Sequence, residues 1–262
     1  MKKIYTSILG FGLLLLNSCS TNNSTENSTT INPPANSLKK ITEIAYYTPA
    51  GTTQIAEFQY ENGILKRLFN AGQSLEFEYN GTKIANSKRY LNSVLQNTTT
   101  FTYNADLLQT IQVNANERTI FNYQGTVLAN LQYQGIQNSI WTTVQSESFT
   151  FNTSNNISQT IKIFNNGGSS SSYKSAYTYD TKNNPFKEMN PYIRLFLNYE
   201  SIDIISQNNK IQKFDFTTPT STTSTQTEYF EIVYNAQNYP TSIKKKRFTT
   251  NELVSEMTIE YY

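Results

Sequence analysis

Histidine is absent from the 262 residues, and cysteine occurs once. Without an imidazole there is no Ser-His-Asp triad, no Cys-His pair and no His-ligated zinc, because the base or ligand does not exist. A single cysteine cannot close an intramolecular disulfide. Glycine and proline are scarce, at 10 and 7, so tight reversals fall largely to Asn, Asp and Ser, which tolerate left-handed backbone. An excess of one charge is missing too. The 21 basic and 19 acidic residues become 19 against 19 once Lys2 and Lys3, which sit in an expected leader, are set aside. That balance gives no reason to expect nucleic acid, which needs a concentrated positive footprint.

What is plentiful is aromatic: Tyr 19 and Phe 15. Together with abundant Thr, Asn, Gln and Ser, these residues favour pleated, half-buried surfaces over helices.

The first residues, "MKKIYTSILGFGLLLLNSCS", combine a basic start, an apolar stretch from Ile8 to Leu16 and a small-residue exit at Ser18, the pattern of a secretory leader over residues 1–18. The apolar stretch falls short of the roughly 20 residues that span a bilayer. Leu16-Asn17-Ser18-Cys19 resembles the lipobox of bacterial lipoproteins, in a form frequent among the Bacteroidota. The resemblance implies that Cys19 becomes the first mature residue and carries a diacylglyceryl group, with several acyl chains together anchoring the protein stably. Residues 19–38 are polar, with Pro33 and Pro34 near the end, and cannot bury enough apolar area to offset the entropy of ordering them. A disordered tether is expected there, followed by a single domain over 39–262.

Within that domain one phrase recurs: "FQYENGILKRLF" at Phe58, "FEYNGTKIANSKRY" at Phe77, "FTYNADLLQTIQV" at Phe101 and "FNYQGTVLANLQY" at Phe121. Looser copies follow at Phe149, Tyr177 and Ile232, and "IEYY" comes last. Residues two apart share one face of a strand. Phe58 therefore projects with Tyr60, Phe77 with Tyr79, Phe101 with Tyr103 and Phe121 with Tyr123, while Thr100 and Thr102 face the other way. Short clusters such as Asn104-Ala105-Asp106 and Asn80-Gly81 suit tight turns. A period near 20 residues predicts repeated units that cannot bury their apolar face alone. The fold class expected is all-β: an antiparallel meander of repeated hairpins curled into an open or closed barrel. "NNGGSSSS" at Asn165 and "TTPTSTTSTQ" at Thr217 are expected as long exposed loops, and the segment around Ile193 as one short helix.

These Tyr-Asn and Tyr-Asp units, with "YDTKNNPFKEMNPY" and "YNAQNYPTS", resemble YD-type, Rhs-like repeats in the diverged form found in lipoproteins of the Bacteroidota. The resemblance covers roughly Ile41 to Tyr262 and implies a porin-like all-β fold. It supplies no catalytic residues and no cofactor.

Candidate chemistry is sparse. The carboxylates are scattered, Asp106 and Asp180 in predicted turns and Glu57, Glu76 and Glu78 near strand starts, so no facing pair of the kind glycoside hydrolysis needs can be nominated. The run Lys244 to Arg247 alternates between two faces and reads as a device blunting an exposed sheet edge, with anionic headgroups as the alternative partner. Tyr60, Tyr79, Tyr103, Tyr123 and Trp141 are the candidate ligand contacts, although core packing explains most of the rings better, and tyrosine-rich faces often line a wet concavity. Trp141 shares the inward parity of Phe149 if no bulge intervenes.

The expectation is a lipid-anchored protein of the cell envelope and outer membrane, non-enzymatic, contacting the membrane through its amino-terminal lipid and binding a glycan, lipid or protein. The alternatives are an envelope carbohydrate-active enzyme using carboxylates and an integral outer-membrane barrel, for which alternating segments are also the signature.

Overall fold

The computed structural model describes residues 33–46, 51–166, 168–197 and 204–262. The expected leader, Cys19 and residues 19–32 of the expected tether lie outside the described residues. Sixteen strands follow in order: β1 (Leu38–Ala45), β2 (Thr52–Glu61), β3 (Ile64–Asn70), β4 (Gln73–Asn80), β5 (Lys83–Leu91), β6 (Val94–Asn104), β7 (Leu107–Asn114), β8 (Glu117–Gln124), β9 (Val127–Gln137), β10 (Ile140–Phe151), β11 (Ile157–Asn166), β12 (Ser169–Tyr179), β13 (Lys210–Phe216), β14 (Ser224–Tyr234), β15 (Pro240–Arg247) and β16 (Leu253–Tyr261). Each pairs antiparallel with its neighbour in sequence, and β16 returns to β1, so the meander closes into a barrel without edges. β1 opens at Leu38, inside the segment expected as tether, and Ser37 is already buried.

Every even-numbered strand ends in the recurring pair: Phe58/Tyr60, Phe77/Tyr79, Phe101/Tyr103, Phe121/Tyr123, Phe149/Phe151, Tyr177/Tyr179, Ile232/Tyr234 and Ile259/Tyr261. Opposite the last member of each pair, the neighbouring strand carries one extra residue. Gln59 faces Arg67 while Tyr60 faces Leu65, which leaves Lys66 unpaired. The same bulge recurs at Ala85, Gln109, Ala129, Ser158, Ile211 and Thr241, and at Lys39 where β16 meets β1. A bulge shifts the facing of every later side chain by one position. Inward residues on the odd strands are therefore three apart, as in Leu65/Leu68, Leu108/Ile111 and Leu128/Leu131, all buried. That is why a leucine and an isoleucine follow each aromatic pair at non-alternating spacing.

The aromatic face points inward. Phe58, Phe77, Phe101 and Phe121 are all but inaccessible, and each contributes about 1.5–3 kcal/mol by burial.

The two ends differ. The turns that follow even strands make a floor, and those that follow odd strands make a mouth. At the mouth, inward-facing Tyr173 is 60% exposed, against 5% for Phe101 deeper in the barrel. Mouth turns at Ala71-Gly72, Asn92-Ser93 and Asn138-Ser139 hold both central residues at positive φ, which matches the twist of a tight hairpin.

The floor turns are variations on a theme. In Asn152–Asn156 the Asn152 side chain accepts from the amides of Ser154 and Asn156, and its own amide donates to the Asn156 carbonyl. Asn235–Tyr239 repeats every one of these bonds. After β12, Asp180 makes the same bonds with Lys182 and with Asn209. The segment between Asn183 and Asn209 is thus an insertion into one such turn. Where the eighth turn would stand, the Tyr262 amide donates to the Ser37 carbonyl, and first and last strands meet.

Two expectations need correcting. "NNGGSSSS" is not a long loop: β11 continues to Asn166, β12 begins at Ser169, and Phe164, Asn165 and Asn166 pair with Ser171, Ser170 and Ser169. Ladder bonds are made by backbone, so serines extend a strand wherever the partner strand continues. The basic run does not blunt an edge, since β15 is paired on both sides. The residues Thr217–Thr223 do form a connection, and the short helix lies within the expected segment, as α1 (Pro191–Leu197).

Candidate binding lumen

The floor is closed by the inserted segment. α1 starts conventionally, with Pro191 in its first turn and the Asn190 side chain accepting from the Tyr192 amide. Phe186, Ile193 and Ile204 are fully buried in the barrel core. Phe196 meets Phe77 and Phe101 edge-on, with centroids 6.4 and 5.4 Å apart, and Tyr192 meets Tyr103 at 4.9 Å. Polar ties fix the rim of this plug. Asp180 accepts from Tyr234 and Asn209, Glu188 accepts from Tyr239 at 2.7 Å, and Arg194 donates to the carbonyls of Ile204 and Ser206.

The four repeat tyrosines come together at this floor, inward and half-buried. Their hydroxyls explain why the position is tyrosine. Tyr79 donates to the Leu65 carbonyl at 2.6 Å, Tyr103 to Ile84 at 3.0 Å, Tyr179 to Ile157 at 2.8 Å and Tyr261 to Pro240 at 2.8 Å. Each acceptor sits at the bulge of the preceding hairpin. Tyr60 is likewise hydrogen-bonded to the Leu38 backbone. A carbonyl next to a bulge lies where the ladder is disrupted, and the next hairpin's phenol supplies a donor. Burial pushes the Tyr103 and Tyr123 hydroxyls up to about 12, with the neighbouring Tyr192 adding to it. Rings and hydroxyls here serve the packing of the floor.

Trp141 is elsewhere. A bulge at Val144 shifts the register between Thr143 and Gln145, so Trp141 loses the parity of Phe149 and lies on the outer wall. There the Arg118 guanidinium covers its ring at 4.2 Å. The inward reading of Trp141 is overturned by that one inserted residue. Cys19 lies outside the described residues.

Above the phenylalanines the lumen becomes polar on the side formed by β10–β15. Inward-facing Glu147 pairs with Lys162 at 3.5 Å, Asp215 with Lys213 at 3.2 Å and Glu228 with Lys245 at 3.3 Å. The Ser175 and Thr227 hydroxyls also donate to Asp215, at 2.6 and 2.9 Å. Burial pushes Asp215 up, but these two donors and Lys213 outweigh it and hold the carboxyl below its ordinary range. Lys210 lies between the rings of Tyr177 and Phe230, at 4.9 and 5.4 Å. Such a wall can offer fixed charges and hydroxyls to a polar molecule entering from the mouth. Sequence reasoning passed over these residues, yet a signal existed: Glu147 stands two before Phe149, and Lys213 stands three after Lys210, which faces Tyr179.

The basic run divides between lumen and outside. Lys245 points inward to Glu228, whereas Lys244 and Lys246 point outward to Glu256 and Glu231, at 3.3 and 2.8 Å. Arg247 meets Glu252 at 3.3 Å.

No family model matches the chain, and no curated protein does. Among solved structures it is similar to a porin-like protein from Bacteroides uniformis, at 12% identity and a TM-score of 0.56, over 88% of this chain and 100% of that one. A porin-like protein from Bacteroides vulgatus is also similar, at 12% identity and a TM-score of 0.49, over 86% and 98%. At this identity the likeness to the first concerns the fold, a porin-like β-barrel whose ligand is unknown.

Proposed function

We propose that the chain is a lipid-tethered envelope barrel that stands in water and receives a polar ligand through its mouth, without catalysing a reaction. The observation that carries this reading is the inverted wall. Apolar residues fill the inside next to the floor, while the outside holds ion pairs such as Arg67–Glu76 and Lys244–Glu256 and polar rows such as Thr98, Thr100 and Thr102. A wall against lipid needs an apolar outer band, and Lys or Arg at the bilayer midplane costs about 2–4 kcal/mol. The carboxylates of the lumen lie beside lysines, which favours holding a ligand over donating a proton. Ser37 and Leu38 enter at the floor. A lipid on Cys19 therefore attaches the barrel at its floor end, with residues 19–36 reaching up to about 60 Å when extended.

A second reading, an integral outer-membrane barrel, draws on the even strand number, the antiparallel closure and the porin-like neighbour. One experiment separates the two. In cells expressing the full chain, Cys19→Ser should release the protein from membranes without detergent. Retention of Cys19→Ser through carbonate washing would favour the integral barrel and sink the tethered reading.

A further inference from the structure

The outer wall is not uniform. From β12 round through β1 to β5 it carries opposed charges, among them Lys246–Glu231, Lys244–Glu256, Arg67–Glu76 and Lys88–Glu78. Across β6–β11 the outward positions, apart from Arg118 and Trp141, are hydroxyl, amide or aliphatic, represented by Thr100, Gln112, Asn122, Gln132 and Ile161. From Tyr90 to Ser146 the sequence holds only Asp106, Glu117 and Arg118 as charged residues, where the chain-wide 15% would place about nine. Glu117 is at the rim beside Asn114, and Asp106 is in a floor turn beside Lys83. Arg118 is the sole outward charge on these six strands, and it is engaged by the Trp141 ring and the Gln134 side chain.

The same sector has exposed aliphatic tips on its outer side at the mouth. Leu95 and Ile136 are 49% and 39% exposed and face outward beside Tyr90 and Trp141. They stand on hairpins β5–β6 and β9–β10, which flank the shorter β7–β8 turn at Ala115.

A solvent-facing wall has no need to lose its charges, since mixed charge favours solubility. An interface between two copies about a two-fold axis does have that need, because residues near the axis meet their own counterparts and like charges there repel. We infer that the β6–β11 face is where a second copy of this chain docks, side by side, with the two mouths pointing the same way. Six strands about 4.8 Å apart and about ten residues deep at about 3.3 Å each present roughly 900 Å², one partner's share of a standard interface. The paired amides and hydroxyls hydrogen-bond across the axis, and the outward tips of Leu95 and Ile136 cover one another at the rim. In this arrangement both floors, and both Ser37 ends, lie on one side.

The test is the mass in solution of the full chain carrying Cys19→Ser, by light scattering and sedimentation between 1 and 100 µM. Twice the chain mass is expected. Gln112→Lys with Asn122→Lys should weaken the dimer at least tenfold, whereas Gln59→Lys on the charged side should leave it unchanged. Mixing that double variant with Gln112→Glu, Asn122→Glu should restore a dimer of the two, which shows that each still folds. A monomer at every concentration overturns the inference, and so does a dimer indifferent to the double lysine variant.

Discussion

The hydroxyl of Tyr103 donates to the carbonyl of Ile84 across 3.0 Å, from one hairpin to the one before it. Ile84 is the residue that faces Tyr79 at the bulge. Tyr103→Phe keeps the ring and its contact with Tyr192 but leaves that carbonyl without its side-chain donor. A loss of about 1 kcal/mol is expected, read as a lower denaturant midpoint with an unchanged slope. No change would mean that the hydroxyl is incidental.

Alkaline pH should expose the same bonds. The Tyr103 and Tyr123 hydroxyls are pushed up to about 12, first by burial and then by Tyr192, against about 10 in an unfolded chain. The fold thus favours the protonated phenol. Its contribution is complete below about pH 10 and is lost as pH rises toward 12. The urea midpoint should fall over that window, and fall less in Tyr103→Phe. A midpoint that stays level to pH 12 contradicts this.

Ala105 occupies a floor turn at φ 51, where the equivalent turns use Gly81 and Gly125, both at φ 62. Positive φ strains a residue with a Cβ by about 1–2 kcal/mol. Ala105→Gly should therefore raise the melting temperature, by about 1 kcal/mol of added stability after the entropy of the unfolded glycine is counted. A lower melting temperature would show that the Ala105 methyl packs more favourably than its backbone is strained.

Asp180 is the point where the plug leaves the barrel. Asp180→Ala removes the acceptor for the amides of Lys182 and Asn209 and for the Tyr234 hydroxyl. A loss of about 2–3 kcal/mol is expected from stranding these donors, concentrated in the insertion. Hydrogen exchange should quicken in residues 183–197 and 204–209 while β6–β9 stay protected. Equal loosening everywhere would mean that the plug and the wall unfold as one unit.

Much of the barrel was legible because strand parity is a local rule. Phe101 and Tyr103 need only an unbroken stretch between them to share a face, and no even strand carries a bulge within its pair. Closure was not legible, since whether β16 reaches β1 depends on the accumulated curvature of eight bulges and not on any one segment. Trp141 was misplaced for a related reason: one inserted residue at Val144 reverses everything beyond it, and valine carries no mark of a bulge. The lumen charges stayed hidden because inward Lys and Glu look like surface residues until Phe149 and Tyr177 fix which side is in. The plug was invisible as such, because its turn begins with Asp180 and ends with Asn209 far along the chain, and only the hydrogen bonds reveal that the two belong to one turn.

The hydroxyl bonds of Tyr79, Tyr103, Tyr179 and Tyr261 run backward, from each hairpin to the one already made. A chain emerging from its amino-terminal end can therefore set each unit as the next arrives, with neighbours in sequence doing nearly all the pairing. Among the described residues, the seating of the plug on β4–β6 and the docking of β16 on β1 are what join distant parts of the chain. The slow steps of assembly are then these late encounters, closure last, and until closure happens two raw borders, β1 and the newest strand, are the places where a nascent copy can be captured by the wrong partner.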